Sequence, residues 1–328
     1  VTAIDAILSG LRDTDATLAE LKTLAAESPD DPIIGLNIYA VTRRRAFLER
    51  RLNGALQRQQ TDLLDYRFET HAGPRCSATG AFESIAAFQA IVSEAFAGLP
   101  GRAAAEPANL PDETVTLAFA GASSAPLGVT LSFLNDRLLV MPSAAEATIE
   151  YAFAILTAQR APRIQALAGE IGVGPIAAAR RWADVSARHG FGISLRWQKS
   201  GSVDRIVQIP ASRAAVLRDT IDEIRDEAID MVACEGELLG LDHITGVFRL
   251  ATDDGTVIAG RLAPDFAIEE SVSLRGYYAV TLSRTSTIDY ATAARTERWE
   301  LLALAPANTD DAIRLAHGLS VLTERWPQ

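Results

Sequence analysis

The chain has 328 residues, of which 48% are apolar and 22% charged, and its formal net charge is −11. That balance excludes a largely disordered chain, a collagen-like repeat and a disulfide scaffold, and it argues against a generally basic nucleic-acid binder. At roughly 100–200 residues per domain, two or three domains are expected. Cys76 and Cys234 are the only cysteines, so reduced thiols in a cytoplasmic protein are expected. The first twenty residues carry Asp5, Asp13 and Asp15, where a secretory leader would carry a basic start and an apolar core. No run of about 18 uncharged apolar residues occurs, so no membrane span and no membrane partner are expected.

The predicted architecture is α+β in three parts. Residues 1–62 read as an N-terminal antiparallel helical hairpin. Ile4, Ile7, Leu11, Thr14, Leu18, Leu21 and Ala25 follow a 3-4 spacing, the seam of a coiled coil. Ser28-Pro29-Asp30-Asp31-Pro32 breaks the chain and offers Asp31 as a cap before a proline in the first turn. A second helix continues the seam through Ile34, Ile38, Val41, Leu48 and Leu52, interrupted by Arg45. The charges of the two helices are opposed. Residues 1–31 hold seven acids against two bases, and residues 41–60 hold six arginines against one acid.

Residues 63–210 read as an α/β middle region. Leu64, Tyr66 and Phe68 alternate with polar residues as a half-buried strand, and His71 to Thr79 form a loop. A helix follows from about Gly80 to Gly98, then a loop over residues 101–112, then strands at residues 115–119 and 129–133. A helix opens at Pro142-Ser143 and runs to about Gln159. Residues 160–210 carry eight bases against three acids, as two helices separated by Gly172-Val173-Gly174-Pro175 and two strands around Lys199–Ser202.

Residues 211–328 read as a helix, a small five-stranded antiparallel β-barrel of the SH3-like or oligonucleotide-fold type, and a closing helix from Asn308. The strands fall near residues 231–240, 246–251, 257–262, 271–282 and 298–304, with Asp254-Gly255 as a hairpin signal and Ser283–Thr296 as a long turn. Residues 230–300 hold twelve acids against six bases, which suits a protein-contacting barrel better than a nucleic-acid groove.

Three kinds of function follow from these residues. The heptad seam and the opposed charges point to a non-enzymatic interaction or assembly protein, a homo-oligomer that also contacts a protein partner. Its self-association residues are Ile4, Ile7, Leu11, Leu18, Leu21, Arg43, Arg44, Arg50 and Arg51. The alternative is a DNA-binding regulator. Ala166 to Val173 resembles the first helix and turn of bacterial helix-turn-helix regulators, which implies a winged helix with Arg180, Arg181 and Arg188 on its second helix and Lys199 at the wing. A further alternative is an enzyme of unknown substrate. His71 and Cys76 share a loop, but no third orienting residue accompanies them, and no catalytic residue is assigned. Gly172 to Ala177 fits a G-x-G-x-x-A string, yet a helix precedes it where a dinucleotide site needs a strand. No H-x-x-x-H or C-x-x-C occurs, so no metal and no cofactor are expected.

Overall fold

A computed structural model describes residues 3–70, 77–100, 115–122, 127–135, 143–199, 204–266 and 272–307. The His71–Cys76 pair, the 101–112 loop, residues 200–203 at the strand turn and the closing helix from Asn308 lie outside the described residues. Two compact units form: one runs up to Ile224 and includes Tyr290–Ala293, and the other holds Arg225–Asp289 and the chain from Ala294.

In the first unit the chain opens with α1 (Ala3–Glu27) and α2 (Pro32–Gln59). The turn between them works as its residues predict: the Asp31 carboxylate accepts from the Ile33 amide at 2.8 Å, and Pro32 fills an early position where no amide is needed. Gln60 ends α2 in the left-handed region at φ 47°, and β1 (Thr61–Thr70) starts at once. Then follow α3 (Ala78–Ala97), β2 (Ala118–Ala122), β3 (Gly128–Leu134), α4 (Ala144–Thr157), α5 (Ala161–Ile171), α6 (Gly174–His189), β4 (Phe191–Gln198), β5 (Arg205–Ile209) and α7 (Ala211–Glu223).

The five strands form one sheet in the order β2-β3-β1-β4-β5, with every neighbouring pair antiparallel. The register sets Leu64 against Trp197, Tyr66 against Leu195 and Phe68 against Ile193, so these side chains share one face. That face is the floor of the main core. Trp197, Phe191, Tyr66, Phe88, Phe153 and Trp182 are all fully buried. Polar groups inside it are matched: Trp182 Nε1 donates to the Tyr66 hydroxyl at 2.8 Å, and that hydroxyl and Ser84 Oγ lie 2.6 Å apart. The buried Asp62 carboxylate accepts from Asn135 Nδ2 at 2.7 Å and from Trp197 Nε1 at 3.1 Å. On the opposite face, Leu63 joins a second cluster with Ile4, Ile7, Leu52, Ala55, Leu56 and Ala120, which seats the base of the hairpin on the sheet.

The most enclosed helix is α6. It buries Ile176, Ala177, Ala178, Ala179, Trp182, Ala183, Val185 and Ser186, with α3 and α7 packed against it. The helix before the second unit, α7, buries Ala214, Leu217 and Ile221 and belongs to the first unit, so the unit boundary falls after Ile224 rather than before Ala211.

The second unit contains β6 (Arg225–Asp242), β7 (Val247–Thr252), β8 (Val257–Leu262), β9 (Tyr277–Asp289) and β10 (Ala294–Pro306). They close into a ring in the order β10-β8-β7-β6-β9. Two features differ from the sequence expectation. The ring is not wholly antiparallel, because β10 meets β8 in parallel at Glu300 opposite Arg261 and Leu301 opposite Leu262. The expected long turn at Ser283–Thr296 is instead a continuation of β9, a tight turn and the start of β10. Thr285, Thr287 and Ile288 are β-branched and favour the strand there, which the Ser/Thr-rich composition concealed. Gly260 allows the ring to close tightly, since a Cβ there would collide with the Trp299 carbonyl. Leu238, Phe248, Leu250, Phe266, Tyr278, Val280, Leu282 and Leu301 fill the interior.

Removing the Tyr66 hydroxyl by Tyr66→Phe strands the buried Trp182 Nε1 and Ser84 Oγ. We expect a loss of about 1–3 kcal/mol in urea unfolding, the scale for buried unsatisfied groups. An unchanged midpoint would contradict the network.

Candidate interaction surface

A helix packed on one side buries one stripe; α2 carries two. Its inward stripe, Ile34, Ile38, Val41, Leu48 and Leu52, faces α1. On α1, Ile4, Ile7 and Leu18 are buried, Leu11 packs against the same cluster, and Leu21 is half-buried. The five α1 residues expected to join a second copy are therefore turned into their own hairpin. The physical reason is the short turn at residues 28–31, which holds the two helices at high effective concentration. Arg45, which interrupts the seam, is matched there: its Nε donates to Asp15 Oδ1 at 2.7 Å and a terminal nitrogen reaches Glu49 at 2.9 Å. The Asp15 hydrogen bond, aided by Glu49, holds the guanidinium pKa above its ordinary value. At 40% side-chain exposure the pair contributes less than about 1 kcal/mol.

The outward stripe has no cover among the described residues. Ile33 and Leu36 are each 67% exposed, Tyr39 60% and Phe47 51%. Ile33, Leu36, Ala40, Arg43, Phe47 and Arg50 succeed one another at steps of three and four, so they form a second seam along the helix. Arginines frame it. Arg43 lies over the Tyr39 ring at 5.9 Å and Arg51 over the Phe47 ring at 5.8 Å, and Arg44 and Arg50 are exposed. Exposed aromatic and aliphatic side chains beside arginine are the composition that protein interfaces favour. The sequence singles out these four arginines as self-association residues. The signal not used there was this second spacing, which runs one or two residues ahead of the first.

The basic segment 160–210 has a different fate. Arg180 on α6 makes a two-pronged pair with Asp222 on α7, at 2.9 and 3.3 Å. Arg188 meets Asp184 and Glu83. Lys199 sits 4.0 Å above the Trp197 ring and pairs with Glu146 at 2.6 Å and Glu150 at 3.3 Å. Arg181 alone of the four residues expected to contact nucleic acid is exposed with no ion pair among the described residues. A recognition helix needs an open face to enter a groove about 12 Å wide. α3 and α7 pack against α6, which is rich in alanine and apolar residues on several sides and is used as the centre of the helical layer, and only the narrow face with Arg181 and Arg188 stays exposed.

His189 stacks on Phe191 and lies 3.3 Å from Ser77 Oγ and 3.5 Å from Glu83, an order that superficially suits nucleophilic catalysis. The Ser77 hydroxyl, however, is the cap of α3 and accepts from the Gly80 amide at 3.0 Å. The His189 ring lies so close over Gly80 that a Cβ there would strike it, so the three residues lock two helix ends together. A cavity of about 80 Å³ between the hairpin and the sheet is lined by Arg12, Arg45, Arg67 and Arg196 and by Asp15, Glu49 and Asp65. Three of its four arginines are paired within it or at its edge, Arg45 with Asp15, Arg67 with Asp65 and Arg196 with Asp204, and Arg12 donates to the Leu8 carbonyl. Burial, with Asp253 and Asp254 nearby, pushes the Cys234 thiol up, away from reactivity. Among the described residues no three histidine, cysteine or acidic side chains are grouped to hold a metal, and no helix is long and apolar enough to cross a membrane.

Comparison with protein-family models, with curated proteins and with solved structures finds no match.

The two faces of α2 should respond oppositely to truncation. Leu56→Ala, in the buried cluster under the hairpin, is expected to destabilise the chain by about 2–5 kcal/mol. Leu36→Ala, on the outward stripe, should stay within about 0.5 kcal/mol in dilute solution. Equal effects in thermal or chemical unfolding would contradict this assignment of faces.

Proposed function

We propose that this chain is a non-enzymatic assembly protein of the cytoplasm that self-associates through the outward face of α2. The observation that carries the proposal is the second seam: four large apolar side chains, more than half exposed, on one helix and in register with arginines. Monomeric surfaces carry scattered apolar residues, whereas a contiguous stripe rimmed by polar groups marks an interaction site. The base of the hairpin is held by Leu52, Ala55 and Leu56 against the sheet, so the stripe rests on a fixed scaffold and needs no folding on binding. The second unit, taken as an acidic barrel of the SH3-like or oligonucleotide-fold type, is proposed to contact a protein partner rather than a nucleic acid, since its net charge has the wrong sign for phosphate.

Sedimentation equilibrium of the full chain across a range of concentrations tests the first part. The parent chain should associate, and Leu36→Glu with Phe47→Glu should abolish association while leaving the circular dichroism spectrum unchanged, because both side chains are exposed. A parent chain that stays monomeric at its highest soluble concentration would overturn the proposal.

A further inference from the structure

We infer that two copies pair their α2 helices antiparallel about a two-fold axis near Val41 and Thr42; this rests on the self-association proposed above. The charge order along the hairpin decides the direction. Glu27, Asp30 and Asp31 lie at the turn end of the outward stripe, and Arg50 and Arg51 lie toward the other end. Glu27, Asp30 and Arg50 have no ion pair among the described residues, so their charges are available. Parallel pairing would stack acids on acids and arginines on arginines. Antiparallel pairing sets each acidic end against the partner's Arg50 and Arg51, twice by symmetry.

The spacing then fixes the register. Stepping along the seam in opposite directions brings Leu36 opposite the partner's Phe47, Ala40 opposite the partner's Arg43, and Ile33 opposite the partner's Arg50. Each match is physically sensible. Leu36 and Phe47 are the largest apolar pair. Ala40 is the small residue over which the long Arg43 stem can lie. The Arg50 stem can cover Ile33 while its head reaches the acidic turn one helical step further on, at Asp30.

Disulfide trapping reads this directly. In a chain carrying Cys76→Ser and Cys234→Ser, Leu36→Cys and Phe47→Cys proteins are oxidised separately and mixed. The mixture should give a cross-linked heterodimer, and neither protein alone should cross-link. Cross-linking of Leu36→Cys with itself would show parallel pairing and overturn the inference. So would failure of the mixture to cross-link while sedimentation still shows dimers, a result that leaves self-association standing. Should either cysteine loosen the dimer, a charge exchange reads the same geometry. Arg50→Asp should weaken association by about tenfold or more, and adding Asp30→Arg should restore it. Additive loss in the double variant would contradict the pairing. A monomeric parent that instead pellets with phosphatidylserine vesicles would overturn both the pairing and the self-association, and would assign the stripe to a membrane surface.

Discussion

β1, the central strand of its sheet, carries buried apolar side chains on both faces, and so sets the conditions for the rest of the first unit. Its Leu64, Tyr66 and Phe68 face the helical layer, where Tyr66 is tied to Trp182 and Ser84. Its Leu63 faces the other way and needs a separate cover. The hairpin supplies that cover at its base. Because α2 spends its last turns on the sheet and its inner stripe on α1, the outward stripe of its first twenty residues is left in solvent. The exposed surface is thus a consequence of how the sheet is closed.

The negative net charge hides two basic islands, and the structure separates them. In residues 160–210, Arg180, Arg188, Arg196, Lys199 and Arg205 each meet a carboxylate of the first unit, so that island is largely neutralised where it lies. In residues 41–60, only Arg45 is seated between acids of its own hairpin, while Arg43, Arg44, Arg50 and Arg51 stay exposed beside apolar side chains. Fixed charge of this second kind orients an encounter and selects a partner more than it adds affinity. That contrast is the physical basis for proposing the hairpin as the interacting part.

Much of the fold was legible because its signals are local. Period-two alternation marked Leu64 to Phe68 as a strand, and the Asp31-Pro32 pair marked the start of α2. What escaped was set by tertiary contact. The resemblance of Ala166 to Val173 to a helix-turn-helix start carried no information on whether α6 would be open or covered, and α3 and α7 arrive from distant sequence to cover it. The parallel contact of β10 with β8 is likewise a product of ring closure, which no window of sequence displays. The candidate surface was half visible: its arginines were plain, but a single-seam reading of α2 put the interface on Ile4, Ile7 and their neighbours, which the chain uses for itself.

Amide hydrogen exchange across α2, measured as a function of chain concentration, tests the central claim most directly. If the outward stripe is the association surface, the segment from Ile33 to Arg51 gains protection as concentration rises, while α6, already enclosed within the chain, exchanges at an unchanged rate. Concentration-independent exchange in α2, or protection that rises elsewhere and not there, would contradict it.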